Sequence, residues 1–314
     1  MSIAVNIAES IMSIRFDRVE KKNAITAAMY QTMADALLAA EADAAVRVVL
    51  IEGSPTIFTA GNDLEDFMKN PPSGGESPVL RFLQAISHAK KPLIAAVAGA
   101  AVGIGTTMLL HCDAVYAADN AMFSLPFASL GLCPEAASSL LLPALAGYQR
   151  AAEKLMFGES FDAAEAREMG LVNQILPAAE LASFARERAH KLAALPAGAL
   201  RTTKALMRGA HLQAVEAQMA LRACIFASCW RRPKRKRRSP RFSNAASRIS
   251  RSFPEYRDAR PCTITGLCTA VTVAAAARPA RAPRHAAPGP GRRANQWHLR
   301  RPLAIAPATR AGVR

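Results

Sequence analysis

Hydrophobic residues along the first 221 positions follow two different periods, and each period predicts a different kind of element. Residues 11–16 alternate between apolar and polar as in a half-buried strand, and short apolar runs at 46–52, 92–98 and 113–117 predict buried strands. Helical spacing recurs between these runs, with Thr26 placed to cap the first helix. The predicted helices cover residues 25–41, 80–89, 103–112, 138–145, 149–157, 162–169, 178–194 and 199–210.

Strands alternate with helices up to about residue 140, and the remaining pattern is mainly helical. This order predicts an α/β core followed by a helical C-terminal section. Residues 58–63 predict a turn, and the polar, proline- and glycine-rich run 71–78 predicts a flexible loop. The N-terminus lacks a basic segment followed by a long apolar run, and no long apolar stretch is free of charge. We therefore expect a soluble, cytoplasmic protein.

Charge is divided very unevenly between two parts of the chain. Residues 1–221 carry 18 Lys or Arg and 22 Asp or Glu, a net charge of −4, whereas residues 222–314 carry 22 and 2, a net charge of +20. The second part, rich in Arg, Ala and Pro, has three interpretations: a disordered solvated tail, GC-rich DNA translated out of frame, or a nucleic-acid-binding arm. The composition favours the first two. We predict one folded domain over 1–221 and a disordered or out-of-frame basic tail over 222–314.

Candidate chemistry is concentrated in residues 92–135. A buried strand runs into the glycine-spaced turn 103–105, which opens a helix and can present free backbone N–H groups to negative charge. Glu135 follows at a Pro-Glu step. Such donors and one carboxylate suit the stabilisation of an oxyanion while a base moves a proton. The structural alternatives are a plain strand-to-helix turn at 103–105 and a glutamate that follows Pro134 into a helix N-terminus.

Short motifs occur in a fixed order along residues 1–221: Asn23-Ala24-Ile25, Phe58-Thr59-Ala60-Gly61-Asn62-Asp63-Leu64, Lys91-Pro92 through Gly105, Cys112-Asp113-Ala114, Phe123 with Leu130-Gly131, and 164–172. Together they resemble the crotonase superfamily of enoyl-CoA hydratases and isomerases. The resemblance implies a spiral of ββα units with a helical trimerisation part from about residue 198, truncated here by the tail. It also implies an acyl-CoA substrate, a homotrimer or dimer of trimers, and no membrane partner. No metal or separate cofactor is expected, because coenzyme A enters as part of the substrate.

The resemblance assigns the oxyanion donors to two backbone N–H groups, those of Ala60 and Ile104. A thioester α-proton is removable near neutral pH only if the enolate oxygen is stabilised as it forms, and one such donor is worth about 3–4 kcal/mol. An N-cap role for Asp63 is an equal alternative to a role in the geometry of the ligand-binding loop. The residues implied to bind substrate are Gly61, Asn62, Asp63, Leu64, Gly103, Gly105, Thr107 and Phe127.

The carboxylates decide which reaction the site performs. Family hydratases carry a pair of glutamates, and the matching positions here are Thr107 and Phe127, neither of which is a general base. Glu135 is the remaining candidate for a catalytic carboxylate in these motifs. The chain therefore most resembles the peroxisomal-type 3-enoyl-CoA to 2-enoyl-CoA isomerases, in which one glutamate moves a proton from C2 to C4. The alternatives are hydratase or other enolate chemistry, and a non-catalytic acyl-CoA binder.

Other residues near these motifs have a functional and a structural interpretation. Three lysines near these motifs could contact the phosphates of coenzyme A, although a solvated lysine is the commoner case. His111 sits on an apolar helix, which favours a core histidine over a catalytic one, and Asp113 is expected to be structural. The alternatives are a phosphate contact or a solvated position for Lys69, Lys90 and Lys91. They are a place in the acyl pocket or in the ordinary core for Phe67, Met68, Leu83 and Phe127.

Overall fold

The computed structural model describes residues 2–69 and 77–230, with side chains up to residue 223. Residues 71–76 of the predicted loop and the predicted tail beyond residue 230 lie outside the described residues. The helices within the described range are Ala27–Ala42 (α1), Leu64–Lys69 (α2), Pro78–Ser87 (α3), Ile104–Thr107 (α4), Ser138–Ala146 (α5), Tyr148–Phe157 (α6), Ala163–Glu168 (α7), Ala178–Ala193 (α8) and Ala197–Trp230 (α9).

The strands of this part of the chain form two sheets. They are Ile3–Ala8 (β1), Ile11–Phe16 (β2), Val48–Glu52 (β3), Ile57–Thr59 (β4), Leu93–Val97 (β5), Ala100–Val102 (β6), Ala114–Ala118 (β7), Met122–Ser124 (β8), Phe161–Asp162 (β9) and Gln174–Leu176 (β10). One sheet has the order β1-β2-β3-β5-β7-β10, and the other has the order β4-β6-β8-β9. The pairs within β2-β3-β5-β7 and within β4-β6-β8 are parallel.

The chain repeats one structural unit along the two sheets. Each unit gives one strand to the larger sheet, the next strand to the smaller sheet, and then a helix: β3, β4, α2; β5, β6, α4; β7, β8, α5. The C-terminal part is helical except for β9 and β10. The predicted α/β spiral of ββα units with a helical C-terminal section is confirmed.

The central strands are apolar on both faces because both faces are covered. Val49 and Ile51 of β3 lie in a hydrophobic cluster with residues of α1 and α3, whereas Val48 and Leu50 lie in a second cluster with residues of α8. A parallel strand buried on both faces produces a continuous apolar run rather than an alternating one. This explains why residues 46–52 read as a buried strand in the sequence.

Helices α1 and α3 are among those that begin at caps encoded by the sequence. The Thr26 hydroxyl accepts a hydrogen bond from Met29 N–H at 3.3 Å, which confirms the predicted cap of α1. The Ser77 hydroxyl accepts from Leu80 N–H at 3.4 Å, and Pro78 occupies the first turn of α3, where its missing N–H costs nothing.

Helix α9 is much longer than the predicted helix 199–210. It runs from Ala197 to Trp230 and therefore passes the boundary predicted at residue 221. Gly209 lies inside it without ending it. Among the described helices, α9 included, none combines the length and hydropathy that a membrane span requires.

Gly209 provides a test of the helical part of the fold. It is exposed on α9, and a Cβ added there would meet no atom within 4 Å. Gly209→Ala should raise the free energy of unfolding by about 0.5–1 kcal/mol, because alanine loses less backbone entropy in a helix. Urea denaturation monitored by circular dichroism measures this change. A decrease in stability would contradict a continuous helix at this position.

Candidate active site

Three parallel strands of the smaller sheet, β4, β6 and β8, end at the same edge. The segments that follow them, 60–63, 103–107 and 125–137, therefore emerge side by side. Gly103 N–H donates to the Ser124 carbonyl at 2.9 Å, which ties the second segment to the third. This edge gathers the turns that carry the predicted site residues.

The first predicted oxyanion donor, Ala60, is corrected by the structure. Its N–H already donates to the Lys22 carbonyl at 2.9 Å and is not available to a ligand. The residues on either side of Asn62 form backbone hydrogen bonds of 2.8 and 2.9 Å with Ile25, as in a parallel β-bridge. Asn62 N–H itself has no acceptor within the described part of the chain. The free donor of this turn is therefore Asn62, two residues after the predicted one.

The side chain of Asn62 is held from helix α1. Tyr30 Oη donates a hydrogen bond to Asn62 Oδ1. Tyr30 is buried, and its ring packs against Phe82 of α3 with 5.5 Å between the ring centroids. The turn that presents the Asn62 N–H is consequently anchored to the hydrophobic core.

The second donor, Ile104 N–H, lies at the start of α4. Gly103 precedes it with φ 57° and ψ −114°, a conformation available to glycine and strained for other residues. The carbonyl of Gly103 accepts hydrogen bonds from Thr106 and Thr107 N–H at 3.0 and 2.9 Å. Ile104 N–H has no acceptor within the described residues, as expected for the first residue of a helix. Ile104 N–H is therefore free to bind a ligand, and its role as an oxyanion donor stays a prediction.

Two glycines allow the donor turns to touch each other. Gly61 has φ +84°, and a Cβ there would lie 2.7 Å from the Val102 carbonyl oxygen. A Cβ on Gly105 would lie 2.5 Å from Thr59 Cγ2. Side chains at these positions would push the turns apart, so the contact between the two turns requires glycine at both.

Glu135 lies in the loop between β8 and α5 and is 2% exposed. It is not in the first turn of a helix, because α5 begins only at Ser138. Ala136 and Ala137 both adopt φ 53°, a left-handed conformation that costs about 1–2 kcal/mol for a residue with a Cβ. This strained step turns the chain sharply just after the carboxylate.

The charge of Glu135 is governed by burial and one cation. Burial raises the pKa of Glu135 above its ordinary value, and the positive charge of Arg222 offsets part of that rise. Arg222 Nη2 lies 3.5 Å from Oε2, whereas Oε1 has no hydrogen-bond partner among the described residues. Burial raises the pKa of Tyr30 well above 10.0, and the negative charge of Glu135 adds to this rise. The carboxylate is therefore enclosed, with one oxygen free to exchange a proton.

His111 holds the loop that carries Glu135. Its Nε2 lies 2.9 Å from the Ala136 carbonyl oxygen, which can only accept, so Nε2 carries the proton. The His111 carbonyl in turn accepts from Arg208 of α9. Burial lowers the pKa of His111 to about 4, and the charges of Arg208 and Lys204 act in the same direction. The prediction of a buried core histidine is confirmed, and its hydrogen bond adds a role that the sequence did not indicate.

The depressed pKa of His111 predicts acid sensitivity. The unfolded chain, with an ordinary histidine pKa of about 6.5, binds more protons than the folded one, so stability falls as the pH drops from about 6.5 towards 4. The loss should approach about 3 kcal/mol. His111→Gln retains a donor for the Ala136 carbonyl and should make the pH dependence shallower. Urea unfolding of both proteins at pH 7.5, 5.5 and 4.5 measures the difference, and identical slopes would contradict it.

Asp63 and Lys91 have structural roles in the described chain. Asp63 Oδ1 accepts from the N–H groups of Glu65 and Asp66, both at 3.1 Å, and Oδ2 pairs with Arg18 at 2.7 Å, so the N-cap interpretation is correct. Lys91 is buried, and its Nζ donates to backbone carbonyls at the end of α1 and just beyond. Both predictions for Lys91, a phosphate contact and a solvated position, are therefore wrong.

The other predicted binding residues differ in their access to a ligand. Thr107 is buried, and its hydroxyl, like that of Ser138, has no hydrogen-bond partner among the described residues. Phe127 and Leu83 are buried in the main core cluster, whereas Met68 is 69% exposed. Leu64 is exposed on the first turn of α2. Their roles in substrate binding stay predictions.

Asp113, which accepts from Lys204 Nζ at 2.6 Å and from Leu93 N–H at 2.8 Å, is structural as expected.

The fold and this edge define a class of protein: a ββα spiral in which two main-chain N–H groups and a buried carboxylate can stabilise an oxyanion and move a proton. A family model described as enoyl-CoA hydratase/isomerase matches residues 6–245, and the chain belongs to this family. The resemblance found in the sequence is confirmed.

Individual relatives differ in the reaction that their names give. The chain is 36% identical over 236 residues to enoyl-CoA delta isomerase 2 of Homo sapiens, a match that covers 73% of this chain and 60% of that protein. It is 35% identical over 201 residues to 4-chlorobenzoyl coenzyme A dehalogenase-2 of Arthrobacter sp, covering 62% and 73%. The solved structure of Pseudomonas aeruginosa OdaA matches with a TM-score of 0.72 and 45% identity, covering 74% and 94%. The family is therefore clear, while the particular reaction needs a separate argument.

Proposed function

We propose that the protein isomerises 3-enoyl-CoA to 2-enoyl-CoA, with Glu135 as its single base. The observation that carries this proposal is the buried Glu135 carboxylate with one oxygen unbonded among the described groups. The two positions at which family hydratases have their glutamates hold Thr107 and Phe127. One carboxylate is sufficient for an isomerisation, since the proton that is removed is also the proton that is returned.

The reaction balances without any further reagent. The C2–H bond breaks and its proton passes to Glu135, while the electron pair moves towards the thioester carbonyl and forms a dienolate. Asn62 and Ile104 N–H hold the developing oxyanion, an interaction that is stronger in the transition state than in the substrate. Protonated Glu135 then delivers the proton to C4, which restores the carbonyl and leaves the double bond between C2 and C3.

Hydration is less well supported by this arrangement. It requires a group that activates water and a second group that protonates C2. Thr107 has a hydroxyl of ordinary basicity and Phe127 has no titratable group. Asp63, which lies on the donor turn, has its carboxylate bound to Arg18 and to the N-terminus of α2. Within the described turns of this edge, a two-carboxylate mechanism therefore lacks its second partner.

The proposal includes two statements about partners, one on the substrate and one on the assembly. An acyl-CoA substrate is consistent with the family, and coenzyme A would enter as part of that substrate without a further cofactor. We propose a homotrimer or dimer of trimers as the assembly. Sedimentation of the full chain measures the oligomeric state, and a monomer that retains full activity would refute this part.

The test of function compares two substrates in parallel. Purified protein is mixed with a 3-enoyl-CoA or with the matching 2-enoyl-CoA, and the products are separated and weighed by mass spectrometry. The proposal expects a product of unchanged mass with a conjugated double bond from the 3-enoyl substrate. It also expects little addition of water to the 2-enoyl substrate. Faster formation of 3-hydroxyacyl-CoA than of the isomer would reject isomerisation in favour of hydration.

A further inference from the structure

Helix α9 brings a cation to the carboxylate of the candidate active site. Arg222 Nη2 lies 3.5 Å from Glu135 Oε2, and the two side chains are only 12% and 2% exposed. Two other basic residues of α9 are used elsewhere: Lys204 binds Asp113, and Arg208 donates to the His111 carbonyl. The contact between Arg222 and Glu135 joins positions separated by 87 residues.

A buried carboxylate needs such a cation if it is to act as a base. Desolvation favours its protonated form, which cannot accept a proton from C2. A guanidinium stays charged at every physiological pH, so it favours the ionised form. Because Arg222 approaches Oε2, it leaves Oε1 as the oxygen without a bond among the described groups.

We propose that Arg222 is a positioning residue that holds Oε2 of Glu135, keeps the carboxylate ionised and leaves Oε1 to exchange the proton with the thioester. This inference rests on the proposed function for its catalytic consequence. It also assigns a role to a residue just beyond the predicted boundary at residue 221, in the part of the sequence interpreted as a tail.

The other charged and titratable groups near Glu135 do not supply the same effect. Tyr30 of α1 is neutral at ordinary pH, because burial and the negative charge of Glu135 raise its pKa. His111 acts through the Ala136 carbonyl and is neutral near pH 7, because burial lowers its pKa to about 4. Arg208 and Lys204 face His111 and Asp113 rather than the carboxylate. Arg222 is the cation that offsets the raised pKa of Glu135.

The test uses full-length Arg222→Leu and Arg222→Lys, with Arg201→Leu as a matched control. Arg201 lies on the same helix but is exposed. The acid limb of kcat/KM should move to higher pH by about 1–3 units in Arg222→Leu, the range by which a nearby opposite charge shifts a carboxylate. Arg222→Lys should restore part of the shift, KM should change little, and Arg201→Leu should leave the profile in place.

A second readout separates this inference from the proposed function. Difference infrared spectroscopy follows the carboxyl band of Glu135 without substrate, with Glu135→Gln identifying the band. A titration that moves to higher pH in Arg222→Leu supports the inference even if no isomerisation is found. An unmoved carboxyl titration and an unmoved acid limb would overturn it while leaving isomerisation intact. If Arg222→Leu fails to fold, Arg222→Gln, uncharged but polar, takes its place in both measurements.

Discussion

Glu135→Gln should lower kcat for isomerisation of 3-enoyl-CoA by about 10²–10⁴-fold, the usual contribution of a positioned acid or base. The amide keeps the size of the side chain but cannot take a proton from C2. The fold should persist, because glutamine has nearly the volume of glutamate and its amide oxygen can still accept a hydrogen bond from Arg222. Stopped assays of product formation, together with circular dichroism and thermal melting, measure both effects.

Two comparisons make this result specific. Glu159→Gln changes an exposed glutamate in the same way and should leave kcat unchanged. Thr107→Ala should lower kcat by less than about tenfold, because a neutral hydroxyl contributes little as a base. Equal losses in Thr107→Ala and Glu135→Gln would contradict the assignment of a single base.

Gly61→Ala should lower kcat by about 10²–10³-fold, the effect of losing one oxyanion donor. Gly61 has φ +84°, and a Cβ would lie 2.7 Å from the Val102 carbonyl, so the turn must shift and carry the Asn62 N–H with it. KM should change less than kcat, because this hydrogen bond strengthens as the enolate forms. Steady-state kinetics with a 3-enoyl-CoA measure the split.

Gly209→Ala is the matched control for this change, since the same methyl group is added where no atom lies within 4 Å. It should leave kcat and KM unchanged. If Gly61→Ala raised KM alone, or had no effect on either constant, the turn would not supply a donor to the transition state.

The sequence predicted the features that depend on local pattern. The strands β3, β5 and β7 were found because they contain runs of four or five apolar residues, each bounded by polar or turn residues. The glycine turn at Ile104 and the Pro-Glu step at Glu135 were found because local residue types define them. Strands β4, β6, β8, β9 and β10 were missed, since two or three residues are too few to establish a period. The six-residue strand β1 was not predicted either.

The features that were missed depend on contacts between distant residues. Ala60 is excluded as the donor, and Asn62 favoured, because the Ala60 N–H donates to the Lys22 carbonyl. These two residues are 38 positions apart, and no local pattern encodes their pairing. The same holds for Arg222, which reaches Glu135 across 87 residues. The apolar helix predicted that His111 would be buried, but its partner Ala136 lies in a loop 25 residues further on.

The central claim is that one enclosed carboxylate carries the same proton from C2 to C4. The most direct measurement uses 3-enoyl-CoA with deuterium at both C2 positions, and mass spectrometry of the 2-enoyl product formed in ordinary water. Because Glu135 is 2% exposed and binds a single proton, we predict a substantial fraction of product with both deuterons, one at C2 and one at C4. Product that always loses one deuteron to water, or that contains added water, would contradict the claim.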